Sequence, residues 1–470
     1  MTAFTYDPFA PAVVDDPYPF YATLRDEHPV YLIETVGVLA VSRYEDVTHV
    51  LRSPELFSSA PYGELINSAI ALGDKGSLDG ESLLGTDPPA HTRLRKIVNR
   101  GFTRGRMLAM RDTIHTVTHS LADDVESRGT CDLVSEFATP LPVAVIAEIL
   151  GIDPERRRDF KRWSDDLLLA VTGDMSAPGR VESLRRSFEE LYAYIGSVVD
   201  QRRTDPRDDL ISALIRAEGD EEVMTAGEVT NFVNLLLVAG NEATTNLIGN
   251  MMLILLERPG LMPAIRAGRV DPAAVVEETM RYDSPVQLTL RRTTRDVVVA
   301  GVPVEAGRDL AVLVGSANRD RAAFEDADRF DPRRSDPAHL TFGLGAHFCI
   351  GAQLARLECA IALETLAGRF TGFERVDDAP IERPPSWLVR GPRGLRLRFE
   401  TAHAERRVAR RAGTVAGPSP AAREQSGGTT ARRRAATPDT AARPASADGS
   451  RRRDGQTGTA RSSRKDDTTS

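Results

Sequence analysis

Residues 341–358, TFGLGAHFCIGAQLARLE, place one cysteine, Cys349, in a short loop bounded by glycines and followed directly by a helical run. Gly343, Gly345 and Gly351 permit backbone conformations closed to other residues and let the chain approach a flat ligand closely. From Gly351 onward the pattern AQLARLECAIALETLAG is helical, so Cys349 sits at a helix N-terminus, where free N–H groups and the helix dipole favour an ionised sulfur. Such a thiolate suits a metal ligand or a nucleophile. An isolated cysteine is otherwise a small buried hydrophobe.

The surroundings of the cysteine are more specific than the cysteine itself. The spacing Phe342-Gly343-x-Gly345-x-His347-x-Cys349-x-Gly351 resembles, position for position, the haem-binding loop of the cytochrome P-450 family. The resemblance implies a fold that is mainly α with small β-sheets, and a haem b whose iron is held by Cys349. It also implies that His347 lies near a haem propionate and Phe342 packs beside the sulfur. A thiolate axial ligand pushes electron density toward iron and favours O–O cleavage.

Working upstream, DPAAVVEETMRYDSP opens with Asp271 as cap and Pro272 in the first turn, and its helix ends before Pro285. Glu278 and Arg281 stand three apart and can pair on one face. By resemblance this pair is a scaffold joined by a third residue from ADRFDPRR, expected at Arg329, with Arg333 as the other candidate. SPVQLTLRR then runs extended. The resemblance makes Arg291 a propionate ligand and turns Val286, Leu288 and Thr289 toward substrate. Near the end, PSWLVRGPRGLRLRF resembles the family's last hairpin, whose turn around Leu388 and Val389 touches substrate.

Thr225-x-x-Glu228 is a capping box opening one long helix that stops at Pro259-Gly260. At 1.5 Å per residue it would span about 50 Å. Its middle, LLLVAGNEATTNLIGN, sets Gly240, Glu242 and Thr244 in an apolar segment, where an unpaired carboxylate is costly. A capped, hydrogen-bonded glutamate at a helix break is the structural alternative. In the family this element crosses the distal haem face, its glycine making room for dioxygen and an acid–alcohol pair relaying protons. Glu242 supplies the acid. The usual alcohol position is Ala243, so Thr244, an ordered water or a substrate hydroxyl is expected to complete the relay.

DPPAHTRLRKIVNRGF places His91 and Arg95 four apart on one helix face, with Asp87 as expected N-cap and Pro88 at the first position. A solvated basic face is one reading. By resemblance these two bind the haem propionates. Arg93, Lys96, Arg100, Arg104 and Arg106 add a cationic cluster that either docks an acidic electron donor or is ordinary surface charge. Before it, residues 58–85 form a long irregular stretch that in the family roofs the pocket, making Tyr62, Leu65, Ile66 and Ile70 substrate candidates. VYLIE and GVLAVS read as a hairpin, helices dominate residues 107–203, and VTGDMSAPGR (171–180) breaks them where the family has a mobile lid.

The chain has 470 residues, with 60 basic and 68 acidic. Residues 401–470 hold 15 basic and 7 acidic residues and are net +8, leaving residues 1–400 net −16. An acidic body argues against nucleic acid as a partner. Three cysteines, Cys131, Cys349 and Cys359, give no disulfide framework and fit a reducing cytoplasm. No apolar run of 18 residues or leader pattern is present, so no membrane association is expected. The haem domain is expected over residues 1–400. Residues 401–470, Arg-, Ala-, Thr- and Gly-rich, are expected to form a disordered tail, functional or the product of a frameshift.

No flavin or nicotinamide fingerprint accompanies the cysteine loop. The resemblance therefore implies a monomeric monooxygenase that takes electrons from a ferredoxin and ferredoxin reductase. It would hydroxylate or epoxidise a small, largely apolar molecule with dioxygen. Rival readings are a peroxide-using or radical-coupling enzyme of the same fold, and a haem-bearing recruitment module without turnover.

Overall fold

Local sequence signals become a layered helical body in the computed structural model, which describes residues 4–64, 81–172, 179–216, 222–335 and 338–401. The candidates Leu65, Ile66 and Ile70, most of the expected lid, and the expected tail beyond Thr401 lie outside the described residues. The helices that matter for the site are α1 (Tyr18–Glu27), α2 (Tyr44–Arg52), α3 (Ala90–Gly101), α4 (Arg111–Glu126), α5 (Pro140–Leu150), α6 (Arg157–Thr172) and α7 (Arg180–Thr204). They are followed by α8 (Ala226–Leu235), α9 (Asn241–Glu257), α10 (Pro272–Tyr282) and α11 (Ala352–Arg369). Among the described residues no helix is long and apolar enough to cross a membrane.

The strands are β1 (Val30–Ile33), β2 (Val38–Val41), β3 (Phe57–Ser58), β4 (Thr130–Asp132), β5 (Thr289–Thr293), β6 (Val297–Val299), β7 (Val302–Val304), β8 (Asp309–Val312), β9 (Phe370–Arg375) and β10 (Arg396–Thr401). β1 and β2 form the expected hairpin, Val30 opposite Val41. β2 then runs parallel to β8, and the main sheet is ordered β1-β2-β8-β5-β3. β10 pairs with β9 and β4 rather than closing a hairpin of its own. The expected turn at Leu388 and Val389 is instead tied to β5's approach, through a bridge between Val286 and Val389 and a 2.8 Å bond from the Gln287 amide to the Leu388 carbonyl.

Two apolar cores meet on one element. Ile248, Met251 and Leu255 of α9 pack with Val275 and Met280 of α10 and with Ile361 and Leu366 of α11. Phe232 and Val233 of α8 pack instead with Phe160 and Trp163 of α6 and Leu191 and Ile195 of α7. The expected single helix over 225–259 is divided. Its capping box forms, Thr225 accepting from the Glu228 amide while Glu228 accepts from the Thr225 amide, but residues Leu236–Gly240 make a π-turn between α8 and α9. Such turns insert one extra residue and recur at functional sites. A run apolar on every side shows no break in its 3.6 periodicity, so the insertion is silent in the sequence.

Candidate active site

Cys349 is partly buried and its amide donates to the Phe342 carbonyl at 2.9 Å. Gly345, at φ +72°, brings its backbone so close that a Cβ would lie 2.7 Å from the Leu51 carbonyl oxygen of α2, and no side chain fits there. A Cβ on Gly351 would stand 4.0 Å from the Cys349 sulfur, ordinary contact. The Gly351 amide at the start of α11 favours the ionised sulfur as expected, but burial works against it. Burial pushes the Cys349 thiol up, and the Gly351 amide, Arg95 and Arg356 only partly oppose it. A bound cationic centre is what would hold this sulfur as thiolate.

Beside the sulfur, three elements bring cations together. α3 carries His91 and Arg95, β5 carries Arg291, and the cysteine loop carries His347. The rings of His91 and His347 lie 4.1 Å apart, and His347 Nε2 is 3.0 Å from Ser59 Oγ. Burial, then Arg291, His91 and Arg95, push His347 down to about 3, so it is neutral. Burial and Arg95 likewise lower His91, whose Nε2 is buried with no hydrogen-bond partner. Arg291 is 5% exposed and lowered to about 10 chiefly by burial, and among the described residues its Nη1 is held by Thr289 Oγ1 and the Leu290 carbonyl. Neither Arg95 nor Arg291 pairs with a carboxylate among the described residues. An orphaned imidazole nitrogen and two unpaired, desolvated guanidinium groups fit a ligand bearing carboxylates, and the adjacent sulfur fits a metal at its centre. The residues present therefore fit a haem.

Glu242 is the second residue of α9, just after the π-turn. Burial alone raises its carboxyl to about 7. Thr244 is buried, and its hydroxyl has no hydrogen-bond partner among the described residues, whereas Thr245 Oγ1 is occupied by the Ala138 carbonyl at 3.2 Å and Asn241 Oδ1 at 3.3 Å. At Gly240 a Cβ would approach Ile146 Cδ1 to 3.2 Å. Ala243 is partly buried and offers no hydroxyl. Tyr62 links the two halves: burial raises its phenol to about 12, Arg291 opposes this and Glu242 adds to it. Arg291 and the acid thus act on one side chain.

The scaffold pair forms as bidentate hydrogen bonds, Arg281 Nε and Nη2 each 2.8 Å from a Glu278 oxygen, with both side chains at most 1% exposed. Its expected third member does not hold. Arg329 is 64% exposed and pairs with Asp326 and Asp331, giving the cluster only its carbonyl. Arg334 occupies the place, with Nε 3.1 Å from Glu278 Oε1. Asp87 is also not the cap of α3. Pro89 occupies that position, and Asp87 accepts instead from the Ser59 amide and from Ser58. Leu288 is fully buried with Tyr21, Leu24 and Leu313, a core residue rather than a lining one, whereas Val286, Thr289, Leu388 and Val389 are partly exposed. Of the cationic cluster, Arg93 is held by Glu228 and Glu81, Arg106 by Asp208 and Arg100 by the Glu222 carbonyl, leaving Lys96 and Arg104 exposed.

Two groups carried no motif. Glu277, His339 and Arg356 form a charged cluster behind Phe342, and Glu358 on α11 is buried with Oε2 unpartnered. A carboxylate in the apolar stripe of a predicted helix is the signal that marks Glu358.

Residues 273–399 match the profile of the cytochrome P-450 family. The chain is 37% identical over 398 residues to 6-deoxyerythronolide B hydroxylase of Saccharopolyspora erythraea, covering 82% of this chain and 96% of that one. It is 38% identical over 378 residues to cyclomarin C epoxidase of Salinispora arenicola, covering 80% and 94%. A crystallised cytochrome P-450 of Chondromyces apiculatus superposes with a TM-score of 0.76 at 41% identity, covering 85% of this chain and 99% of that chain.

Proposed function

The chain belongs to the cytochrome P-450 family and is a monooxygenase, and from that premise we propose that it inserts one oxygen atom of dioxygen into a small, largely apolar secondary metabolite. The observation that carries this reading is the set His91, Arg95 and Arg291 beside Cys349, without a carboxylate partner among the described residues, with Arg291 and the partly buried acid Glu242 both acting on Tyr62. Haem b, held by Cys349 and with its propionates against His91, Arg95, Arg291 and His347, would supply dioxygen activation, to which the thiolate contributes electron density. Phe342 and Gly351 would flank it.

Glu242, held near pH 7 by burial, keeps a proton at the point where one is delivered, and pKa values close to working pH suit proton transfer. With Ala243 at the usual alcohol position, the Thr244 hydroxyl, an ordered water or a substrate hydroxyl passes that proton on. Thr245 is already engaged and is not the donor. At Gly240, where the π-turn ends, the helix packs closely on Ile146 of α5. Val286, Thr289, Leu388 and Val389 line the substrate side. Electrons come from a separate ferredoxin and its reductase, received on the face that exposes Lys96 and Arg104. The domain that does this ends near residue 400.

Relatives named for 6-deoxyerythronolide B and cyclomarin C suggest hydroxylation or epoxidation of a complex natural product. A panel of hydroxylated natural products, each with its deoxy analogue, is titrated against the purified protein while the Soret band is followed. A low-to-high-spin shift with some member names the substrate class. Preference for the hydroxylated member assigns the relay opposite Ala243 to the substrate, and equal shifts assign it to Thr244 or water. If Ala243→Thr and Thr244→Ala both leave turnover and coupling unchanged, this relay is wrong.

A further inference from the structure

Glu277, His339 and Arg356 surround Phe342 and have no part in the roles assigned above. Glu277 precedes the scaffold residue Glu278 on α10, Arg356 lies on α11 seven residues after Cys349, and His339 stands three residues before Phe342. Arg356 grips both oxygens of Glu277, Nη2 to Oε2 at 3.0 Å. His339 Nε2 is 3.1 Å from that same oxygen. The Thr341 amide donates to His339 Nδ1 at 3.3 Å, which leaves Nε2 as the ring nitrogen that donates to Glu277. Burial pushes the Glu277 carboxyl up, but the His339 and Arg356 hydrogen bonds outweigh it and hold the group at about 2.

This cluster reaches the sulfur through Phe342. The Arg356 guanidinium lies 4.4 Å from the centre of the Phe342 ring, and the Phe342 carbonyl accepts the Cys349 amide. The His339 ring is 5.8 Å from Phe342, and its side chain is 2% exposed. Groups that surround a metal ligand set its basicity and orientation, and hydrogen bonding and local charge are levers on a haem potential.

We propose that Arg356 and Glu277 are an opposed charge pair that sets the reduction potential of the iron carried by Cys349, with His339 as the positioning residue that fixes the carboxylate. This rests on the haem-thiolate reading of Cys349. A cation beside the sulfur withdraws electron density and favours the reduced iron, so Arg356 raises the potential. The Glu277 carboxylate, held against it, lowers the potential. An ordinary ion pair joining α10 to α11 would stabilise packing without moving the potential.

The test is an anaerobic reductive titration of full-length holoprotein with dithionite and mediator dyes, free of any protein donor. Arg356→Met is expected to shift the potential negative and Glu277→Gln to shift it positive. The double variant should return close to the unmodified protein, and Arg356→Lys should stay close to it. Same-sign shifts in the two single variants, or no shift in either, with a thiolate-type carbonyl band intact, overturn the proposal. Where Arg356→Met loses that band, Glu277→Gln decides: a positive shift supports the proposal, and no shift or a negative one overturns it. If the unmodified protein carries no haem, the Cys349 reading fails first and the proposal falls with it.

Discussion

Glu242 and Glu358 are both carboxyls raised by burial alone, yet only one stands among other site groups. Because Glu242 is proposed to deliver a proton from a group titrating near 7, turnover should fall as pH rises past that value. Glu242→Gln should lose this pH dependence and about 10²-fold in turnover, checked by product formation at saturating substrate. Glu358 is raised from its ordinary 4.5 to about 8 and has no charged partner. A carboxyl raised on folding contributes full stability below its unfolded value and loses it as pH climbs toward the folded one. Glu358→Gln should therefore gain on the unmodified protein between pH 5 and 8, by on the order of a few kcal/mol, in denaturant melts. At this scale the sequence was legible where a motif fixed the residue: Cys349, His91, Arg95, Arg291 and His347 lie together, as the family resemblance implied. It was silent on environment, since burial works against the helix end at Cys349 without any mark in the local pattern.

The elements show the same division between periodic and irregular segments. α10 begins at Asp271 and Pro272 as its caps dictate, with Asp271 accepting from the Ala273 amide at 3.0 Å. The scaffold's third arginine could not be chosen from sequence, because Arg329, Arg333 and Arg334 crowd an irregular segment with no period to say which turns inward. The Asp331 amide bonds Glu278 Oε1 at 2.8 Å, and that turn presents Arg334. Arg334→Ala should cost more than about 1 kcal/mol in thermal or denaturant unfolding, while Arg329→Ala should stay within about 0.5 kcal/mol. Thr225→Ala, which removes a formed cap from α8, should cost about 1 kcal/mol.

Across the whole molecule, helix content and the β1–β2 hairpin follow from local pattern, but the sheet order does not. The parallel pairing of β2 with β8 joins strands some 270 residues apart, which no turn chemistry encodes. The last hairpin was misplaced for the same reason, since β10 finds β9 and the distant β4. Opposite net charges on residues 1–400 and 401–470 mark a boundary in composition. A chain ending at Thr401 is predicted to keep the melting temperature and the optical spectrum of the full chain.

The haem-thiolate assignment underlies every role proposed for these residues, and the carbon monoxide difference spectrum of the dithionite-reduced full chain tests it most directly. The predicted result is the red-shifted Soret band of a thiolate-ligated carbonyl complex, lost in Cys349→Ala. Protein purified after haem supply that shows no Soret band, or a thiolate-type band that survives Cys349→Ala, would contradict it.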